Sequence, residues 1–192
     1  MKIELIQNNY LVVPEFIDAE RANKLADEFE AQGENLWVDE QCPSSPAMYD
    51  FMPFVRLLVE KVPDVSELIG EPVLPTYTYA RTYKRKETLH RHRDRPACEI
   101  SLTLNLTKSE LWPICIQRPD GSEVCLEQNP GDAMLYLGCV ADHWREPYDG
   151  DHHVQVFLHY VRANGPKAWA YFDKRKEQDP TPPVGDIPVT KL

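Results

Sequence analysis

The clearest structural signal in this chain is the alternating run Cys98-Glu99-Ile100-Ser101-Leu102-Thr103-Leu104-Asn105-Leu106. Alternation of polar and apolar residues with a period of two is typical of a β-strand that buries one face. The apolar face must meet a hydrophobic core. The polar face either lines a cavity or meets water, and the alternation alone does not distinguish the two.

Similar runs lie on both sides of this strand. Upstream, residues 74–83 are rich in aromatic and β-branched side chains, and downstream come apolar runs at 111–117, 123–127, 133–137 and 153–161. Gly, Pro, Asp and Asn separate them, and no helical period interrupts the series between residues 72 and 161. The pattern predicts a mainly β (α+β) fold, an antiparallel jelly roll or barrel.

The chain has 192 residues, enough for one sizeable core. Asp18 can cap a first helix whose apolar face ends at Phe29, and a second helix is predicted over residues 49–61. We therefore predict a single domain over residues 1–172, with helical support in 1–70 and a jelly-roll core in 71–165. Residues 173–192 contain several prolines and predict an extended tail.

Two short segments carry residues suited to a metal. His92-Arg93-Asp94 precedes the alternating strand, and His143 lies about fifty residues later at the start of another segment. Two imidazoles and one carboxylate on a single face hold iron(II) while leaving positions open. In an antiparallel barrel, strands far apart in sequence become neighbours. We predict that His92, Asp94 and His143 are the ligands.

Two other metal-binding motifs match part of the same segment. A cupin would use His90 and His92 together with a glutamate, for which Glu99 is rather distant. A His-x-His-x-Asp-His string of metallo-β-lactamase type would need a histidine where Arg95 stands, and helices alternating with strands. A jelly-roll module that binds a ligand without catalysis is the alternative from another functional class.

In its order of motifs the chain resembles the non-haem iron and 2-oxoglutarate dependent oxygenases, particularly the compact branch similar to prolyl 4-hydroxylases. The resemblance rests on Tyr83 nine residues before His92, the His-x-Asp pair, Gly131-Asp132 before an apolar strand, and His143. It implies a double-stranded β-helix fold and catalysis at His92, Asp94 and His143. The cofactors it implies are Fe(II), 2-oxoglutarate as cosubstrate and O2, with Tyr83 near the cosubstrate.

What the resemblance implies for the reaction is hydroxylation of a peptide or protein residue, an amino acid or a small metabolite, with formation of succinate and CO2. The chain departs from the family at His153, where an arginine or lysine usually binds the far carboxylate of 2-oxoglutarate. Arg145 lies two residues after His143, on the same face of a regular strand. We predict that Arg145 binds this carboxylate, with His153 and Gln155 as secondary candidates; a surface ion pair is the alternative for Arg145.

Composition and net charge limit the classes of molecule that the protein is expected to bind. The net charge of -10 and the pI near 5.1 argue against nucleic acid or an anionic membrane as partner. Residues 81–95 nevertheless concentrate arginine and lysine, which favours an anionic small-molecule or peptide substrate or else forms a solvated surface. The sequence does not indicate the oligomeric state.

Five cysteines without a Cys-x-x-Cys pair predict neither a disulfide framework nor structural zinc. The N-terminal sequence has no long apolar run, so we expect neither a signal peptide nor a membrane span. A cytoplasmic location follows as an expectation.

Overall fold

The computed structural model of the protein describes residues 3–38 and 42–177, with side chains as far as residue 172. Within these ranges the α-helices are α1 (Ile3–Asn8), α2 (Ala19–Glu30), α3 (Met52–Glu60) and α4 (Val62–Ile69). The strands are β1 (Tyr10–Val13), β2 (Ala47–Tyr49), β3 (Val73–Tyr83), β4 (Leu89–His92), β5 (Ile100–Lys108), β6 (Ile114–Gln117), β7 (Glu123–Leu126), β8 (Ala133–Tyr136), β9 (His143–Arg145) and β10 (His153–Arg162). Short 3-10 helices span Gly33–Asn35, Pro96–Cys98 and Ala168–Glu177.

The strands form two antiparallel sheets. The larger has the order β1-β8-β5-β10-β3-β2, and the smaller has the order β4-β9-β6-β7. β10, the last strand, lies between β5 and β3, while β4 pairs with β9 from some fifty residues later. This is the predicted double-stranded β-helix, and the fold prediction is confirmed.

The alternation seen in the sequence separates two environments. On β5 and β10 the apolar side chains, such as Leu102, Leu104 and Val156, belong to the main core with the helices. Within α2 the predicted apolar face is buried, and the Asp18 side chain accepts a hydrogen bond from the Arg21 backbone N–H. The helices therefore brace the outer face of the larger sheet, and the opposite faces of its strands are left to line the interior.

The first seventy residues are not wholly helical. β1 pairs with β8 and β2 pairs with β3, so both edges of the larger sheet come from this segment. The second helix starts at Met52 rather than at residue 49, because Tyr49 still belongs to β2. At the other end a 3-10 helix extends to Glu177, and the remainder of the predicted tail, 178–192, lies outside the described residues.

Two further findings concern cysteines and membranes. Cys115 and Cys125 lie directly opposite each other on β6 and β7 and form a disulfide, a pair that the prediction of no disulfide framework did not include. The sequence could not show this pair, because it depends on the register between the two strands. In residues 3–38 and 42–177, no helix combines the length and apolarity needed to cross a membrane.

Candidate active site

The predicted metal ligands lie together at one end of the smaller sheet. His92 is the register partner of His143 across β4 and β9, and Asp94 follows β4 directly. The Nε2 atoms of both histidines are 3.6 Å from Asp94 Oδ1, and one donor atom from each residue lies within 4.8 Å of the others. A single ion can therefore contact all three.

Hydrogen bonds fix the orientation of both imidazoles. His92 Nδ1 is 2.6 Å from the His90 carbonyl oxygen, and His143 Nδ1 is 3.0 Å from the Ala141 carbonyl oxygen. Because a carbonyl can only accept, each Nδ1 carries a proton, so that in the neutral imidazole the lone pair lies on Nε2. Both rings thus have the tautomer that ligation through Nε2 requires.

The third ligand is also held by its neighbours. Ser101 Oγ donates to Asp94 Oδ2 at 3.0 Å, and the Asp94 backbone N–H donates to the Gly138 carbonyl at 2.9 Å. Burial alone would raise the pKa of the Asp94 carboxyl, but His143 and His92 outweigh it and hold this pKa well below its usual range. Asp94 is therefore a carboxylate at neutral pH.

Glycine at position 138 is required by this arrangement. A Cβ there would lie 2.3 Å from Asp94 Oδ2 and 2.4 Å from the Cys98 carbonyl oxygen, far inside contact distance. Since Gly138 also accepts the Asp94 hydrogen bond, the turn before β9 and the Asp94 side chain can approach closely only without a side chain here. The sequence alone does not show this role, because it depends on how closely the turn approaches Asp94.

The triad opens into a cavity of about 640 Å³, within the size range of small-molecule sites. Tyr83, the predicted cosubstrate neighbour, lines it and is buried. Arg81 and Arg95 also line it; they belong to the basic segment 81–95 that the sequence indicated as favouring an anionic substrate. The other lining residues were not predicted; they include Tyr49, Tyr77, Tyr79, Phe157 and His159. The sequence could have indicated some of them, because residues 77, 79 and 81 share a strand face with Tyr83.

Arg145, His153 and Gln155 are brought together, but they do not line this cavity. Arg145 is 1% exposed; it donates to the Trp112 carbonyl and, at 3.2 and 3.4 Å, to the side-chain oxygens of Gln128 and Gln155. His153 Nε2 lies 2.7 Å from the Gln155 side-chain oxygen. We call this group the inner polar cluster: Thr103, Asn105, Gln128, Arg145, His153 and Gln155. The surface ion pair considered for Arg145 is wrong, because the side chain is buried.

The inner polar cluster contains one buried positive charge. Burial lowers the pKa of Arg145 to about 10, so the guanidinium remains charged at neutral pH. Burial, aided by Arg145, lowers the pKa of His153 to about 3, so that imidazole is neutral. In the described part of the chain, Arg145 has no carboxylate within ion-pair distance, and its Nε is buried without a partner. An anion from outside the protein would complete this site.

Other residues considered from the sequence have structural roles. His90 is exposed and lies outside the donor groups found among the described residues, and Glu99 pairs with Arg162 at 2.9 Å, so the cupin ligand set does not assemble. Ser101, Thr103 and Asn105 are buried, which settles that the polar face of β5 points inward.

Comparison with known proteins supports the fold. No protein-family model matches the sequence, and no curated protein matches it either. Among solved structures, the architecture is that of the 2-oxoglutarate and iron dependent oxygenases. A prolyl-4-hydroxylase from Pseudomonas putida has a TM-score of 0.67 at 15% identity, over 83% of this chain and 95% of that one.

Two further structures are similar to this chain. The 2-oxoglutarate dependent epimerase SnoN from nogalamycin biosynthesis has a TM-score of 0.71 at 16% identity, over 98% of this chain and 90% of that one. HygX from Streptomyces hygroscopicus, solved with nickel and 2-oxoglutarate bound, has a TM-score of 0.69 at 12% identity, over 85% and 88% respectively. At these identities the likeness establishes the shared double-stranded β-helix fold.

Proposed function

We propose that this protein is an Fe(II) and 2-oxoglutarate dependent dioxygenase that hydroxylates its substrate and forms succinate and CO2. The observation that carries the proposal is the triad of His92, Asp94 and His143, in which both Nε2 lone pairs and one carboxylate oxygen converge on one point. The fold shared with HygX, which was solved with nickel and 2-oxoglutarate, supports it.

The donor set fits iron(II), for which two imidazoles and a carboxylate on one face are a common arrangement. Bound there with 2-oxoglutarate and O2, the metal would supply the oxidising power to break a substrate C–H bond. The protein's own part is to hold the ligands and exclude water. Ser101 keeps the second carboxylate oxygen occupied, so that Asp94 offers Oδ1 alone.

Arg145 is our candidate for binding the far carboxylate of 2-oxoglutarate. Its charge is buried and has only neutral partners in the described ranges, so a dianionic cosubstrate would supply the missing counter-charge. Tyr83 lines the cavity, and its ring is 6.3 Å from that of His153 in this cluster. His153 and Gln155 would then position the guanidinium rather than carry charge.

The substrate we propose is a small molecule, with a peptide as the second candidate. HygX was also solved with hygromycin B bound, and SnoN with nogalamycin RO, so related folds accept small molecules. The prolyl-4-hydroxylase among the similar structures keeps a peptide in consideration. In this chain the lining side chains are mostly buried, which suits a compact ligand.

An anaerobic titration tests the proposal. Metal-free protein receives iron(II) and then 2-oxoglutarate, and the visible charge-transfer absorption of the chelate is followed in the wild type and in Asp94→Ala. We expect the band in the wild type and its loss in the variant. Tight metal binding without a band would refute the cosubstrate, and absence of metal binding would leave the non-catalytic binding module.

A further inference from the structure

His159 lies on the interior face of β10, close to the triad but outside it. Its register partner across the larger sheet is Ser101 of β5. Because the side chains of directly opposed residues project from the same face of a sheet, the imidazole meets the serine hydroxyl, and His159 Nδ1 is 2.9 Å from Ser101 Oγ. The same hydroxyl lies 3.0 Å from Asp94 Oδ2. Two consecutive hydrogen bonds therefore join His159 to Asp94.

The direction of these hydrogen bonds follows from the groups involved. Ser101 Oγ lies 3.0 Å from the Asp94 carboxylate and 3.3 Å from the Cys98 carbonyl oxygen, and both of these groups can only accept. The hydroxyl has one proton, and the charged acceptor forms the stronger bond with it. The contact with His159 is then a donation from Nδ1–H to the serine oxygen. This donation favours the bond from Ser101 to Asp94, because a hydroxyl that accepts one hydrogen bond donates another more strongly.

Packing holds the His159 ring in the orientation that this donation requires. The Tyr77 ring is 4.5 Å from it, and the Phe157 ring, two residues earlier on β10, is parallel to it within 4°. The Tyr77 hydroxyl in turn lies 3.0 Å from Cys98 Sγ. His159 is 5% exposed and lines the cavity together with these two rings. The hydrogen-bond chain consequently runs from the cavity wall to the carboxylate.

The Asp94 carboxylate needs an orienting partner because its two oxygens are chemically equivalent. Oδ1 lies 3.6 Å from Nε2 of both His92 and His143, which is the side where one ion can contact all three residues. Oδ2 receives the serine hydroxyl. If Ser101 turned its proton to the Cys98 carbonyl, Oδ2 would lose this hydrogen bond and the carboxylate could rotate. A donor fixed behind the serine keeps Oδ1 directed at the two imidazoles.

We propose that His159 is a positioning residue for Asp94: by donating to Ser101, it keeps the serine hydroxyl on Oδ2 and leaves Oδ1 to the metal ion. His159 lies two hydrogen bonds from the carboxylate, so its effect on metal binding should be weaker than that of Ser101 and should depend on Ser101. Within the reaction this role rests on the proposed oxygenase function, whereas its effect on metal binding does not.

Equilibrium titration of the metal-free, full-length protein with cobalt(II) tests the proposal. Cobalt(II) accepts the same imidazole and carboxylate ligands as iron(II), and its visible absorption depends on their arrangement. His159→Phe keeps a ring but has no donor, and we expect it to weaken cobalt(II) binding by about fivefold, less than the loss of a residue that contacts a ligand directly. Its cobalt(II) spectrum should differ from that of the wild type.

Two amides of different length separate the hydrogen bond from the rest of the side chain. His159→Asn retains an N–H close to the position of Nδ1, whereas His159→Gln carries it farther out, near the position of Nε2. His159→Asn should therefore keep the wild-type spectrum and bind cobalt(II) within about twofold of the wild type, while His159→Gln should resemble His159→Phe. A residue needed only for packing would not distinguish the two amides in this order.

The double variant Ser101→Ala/His159→Phe tests whether His159 acts through Ser101. If it does, the double variant should bind cobalt(II) as weakly as Ser101→Ala alone, because both changes break the same chain. His152→Phe is the matched control: His152 pairs with Glu30 of α2 at 2.9 Å, and its replacement should leave the cobalt(II) affinity unchanged. Thermal melting confirms that each variant is folded, and the comparison of the two amides keeps the test open if His159→Phe unfolds.

The outcomes separate this proposal from the proposed function. Additive losses in the double variant, or equal binding by His159→Asn and His159→Gln, would overturn the positioning role. Loss of binding in His159→Phe as complete as in Asp94→Ala would also overturn it, since Asp94, Cys98 and His159 carry donor atoms within 4.8 Å of one another and His159 would then be a ligand itself. If the expected order holds while 2-oxoglutarate neither binds nor is consumed, the positioning role stands and the oxygenase function fails.

Discussion

The interior of the barrel contains two polar groups, and they differ in the charge of the ligand that each can bind. The triad joins one carboxylate to two imidazoles whose Nε2 lone pairs are free, an arrangement that attracts a cation. In the inner polar cluster, the buried guanidinium of Arg145 meets only neutral acceptors, an arrangement that attracts an anion. Each group lacks an opposite charge that a bound ligand would supply.

Two groups of opposite preference inside one barrel can together orient a single ligand. A molecule that chelates a metal at one end and carries a carboxylate at the other would satisfy both groups at once. Because burial strengthens electrostatic interactions, each group should act strongly on its own ligand and weakly on the other's. Variants that disturb one group while sparing the other therefore test the comparison directly.

The largest effect is expected from Arg145→Gln. Removing one side of a buried charge pair commonly costs a few kcal/mol, so the affinity for 2-oxoglutarate should fall by about 100-fold. Affinity for iron(II) alone should not change, because Arg145 is not among the donors of the triad. Calorimetric titration measures both. A larger loss of 2-oxoglutarate affinity in Arg81→Gln than in Arg145→Gln would indicate that Arg81 on β3, and not Arg145, binds the far carboxylate.

The second-largest effect is expected from Gly138→Ala, which disturbs the triad but not the inner polar cluster. The added methyl would collide with Asp94 Oδ2 and the Cys98 carbonyl, so the free energy of unfolding should fall by about 2 kcal/mol. Metal affinity should fall with it as Asp94 is displaced. Gly121→Ala is the comparison for metal affinity alone: its Cβ would meet nothing within 4 Å, but its left-handed φ of +85° strains any side chain, so it should lose stability without losing metal affinity. Unchanged metal affinity in Gly138→Ala would argue against Asp94 as a ligand.

Ser101→Ala should have a smaller effect on the same group. Loss of the hydroxyl that donates to Asp94 Oδ2 should weaken metal binding by about tenfold, as for other residues that orient ligands. Thr103→Val is the matched control on the same strand face, since Thr103 contacts Gln155 in the inner polar cluster. Competition with a chromogenic chelator gives both affinities. Equal losses would show that the two groups are coupled rather than separate.

The smallest effect concerns His153 and pH. Its pKa is about 3 in the folded protein and near 6.5 when unfolded, so only the unfolded chain gains a proton as pH falls below about 6.5. Stability is thus retained above that pH and lost below it, by about 1 kcal/mol between pH 7.5 and 5.5. Urea unfolding of the wild type and His153→Gln at both values should show this extra loss in the wild type alone. An identical pH dependence would mean that His153 is not buried as a neutral imidazole.

Much of the architecture could be predicted from the sequence. Alternation located the strands of the core, and the apolar positions Ala22, Leu25, Ala26 and Phe29 located α2. The triad was predicted from the His-x-Asp pair, the distant histidine and the family resemblance, and the structure adds the pairing of β4 with β9 that places His92 opposite His143. Edge strands β1 and β2 were missed, because short segments acquire their strand conformation by pairing with a sheet already formed.

Local properties could be inferred from the sequence: strand periodicity, the capped helix and the types of metal-donor residue available. The tertiary structure alone decided which polar faces point inward, that Arg145 is buried and lacks a carboxylate in the described ranges, and that Arg81 lines the cavity. It also decided the Cys115–Cys125 pair, which depends on the register of β6 against β7. The physical reason is that periodicity is set within a strand, whereas burial, charge balance and contact depend on which strands become neighbours.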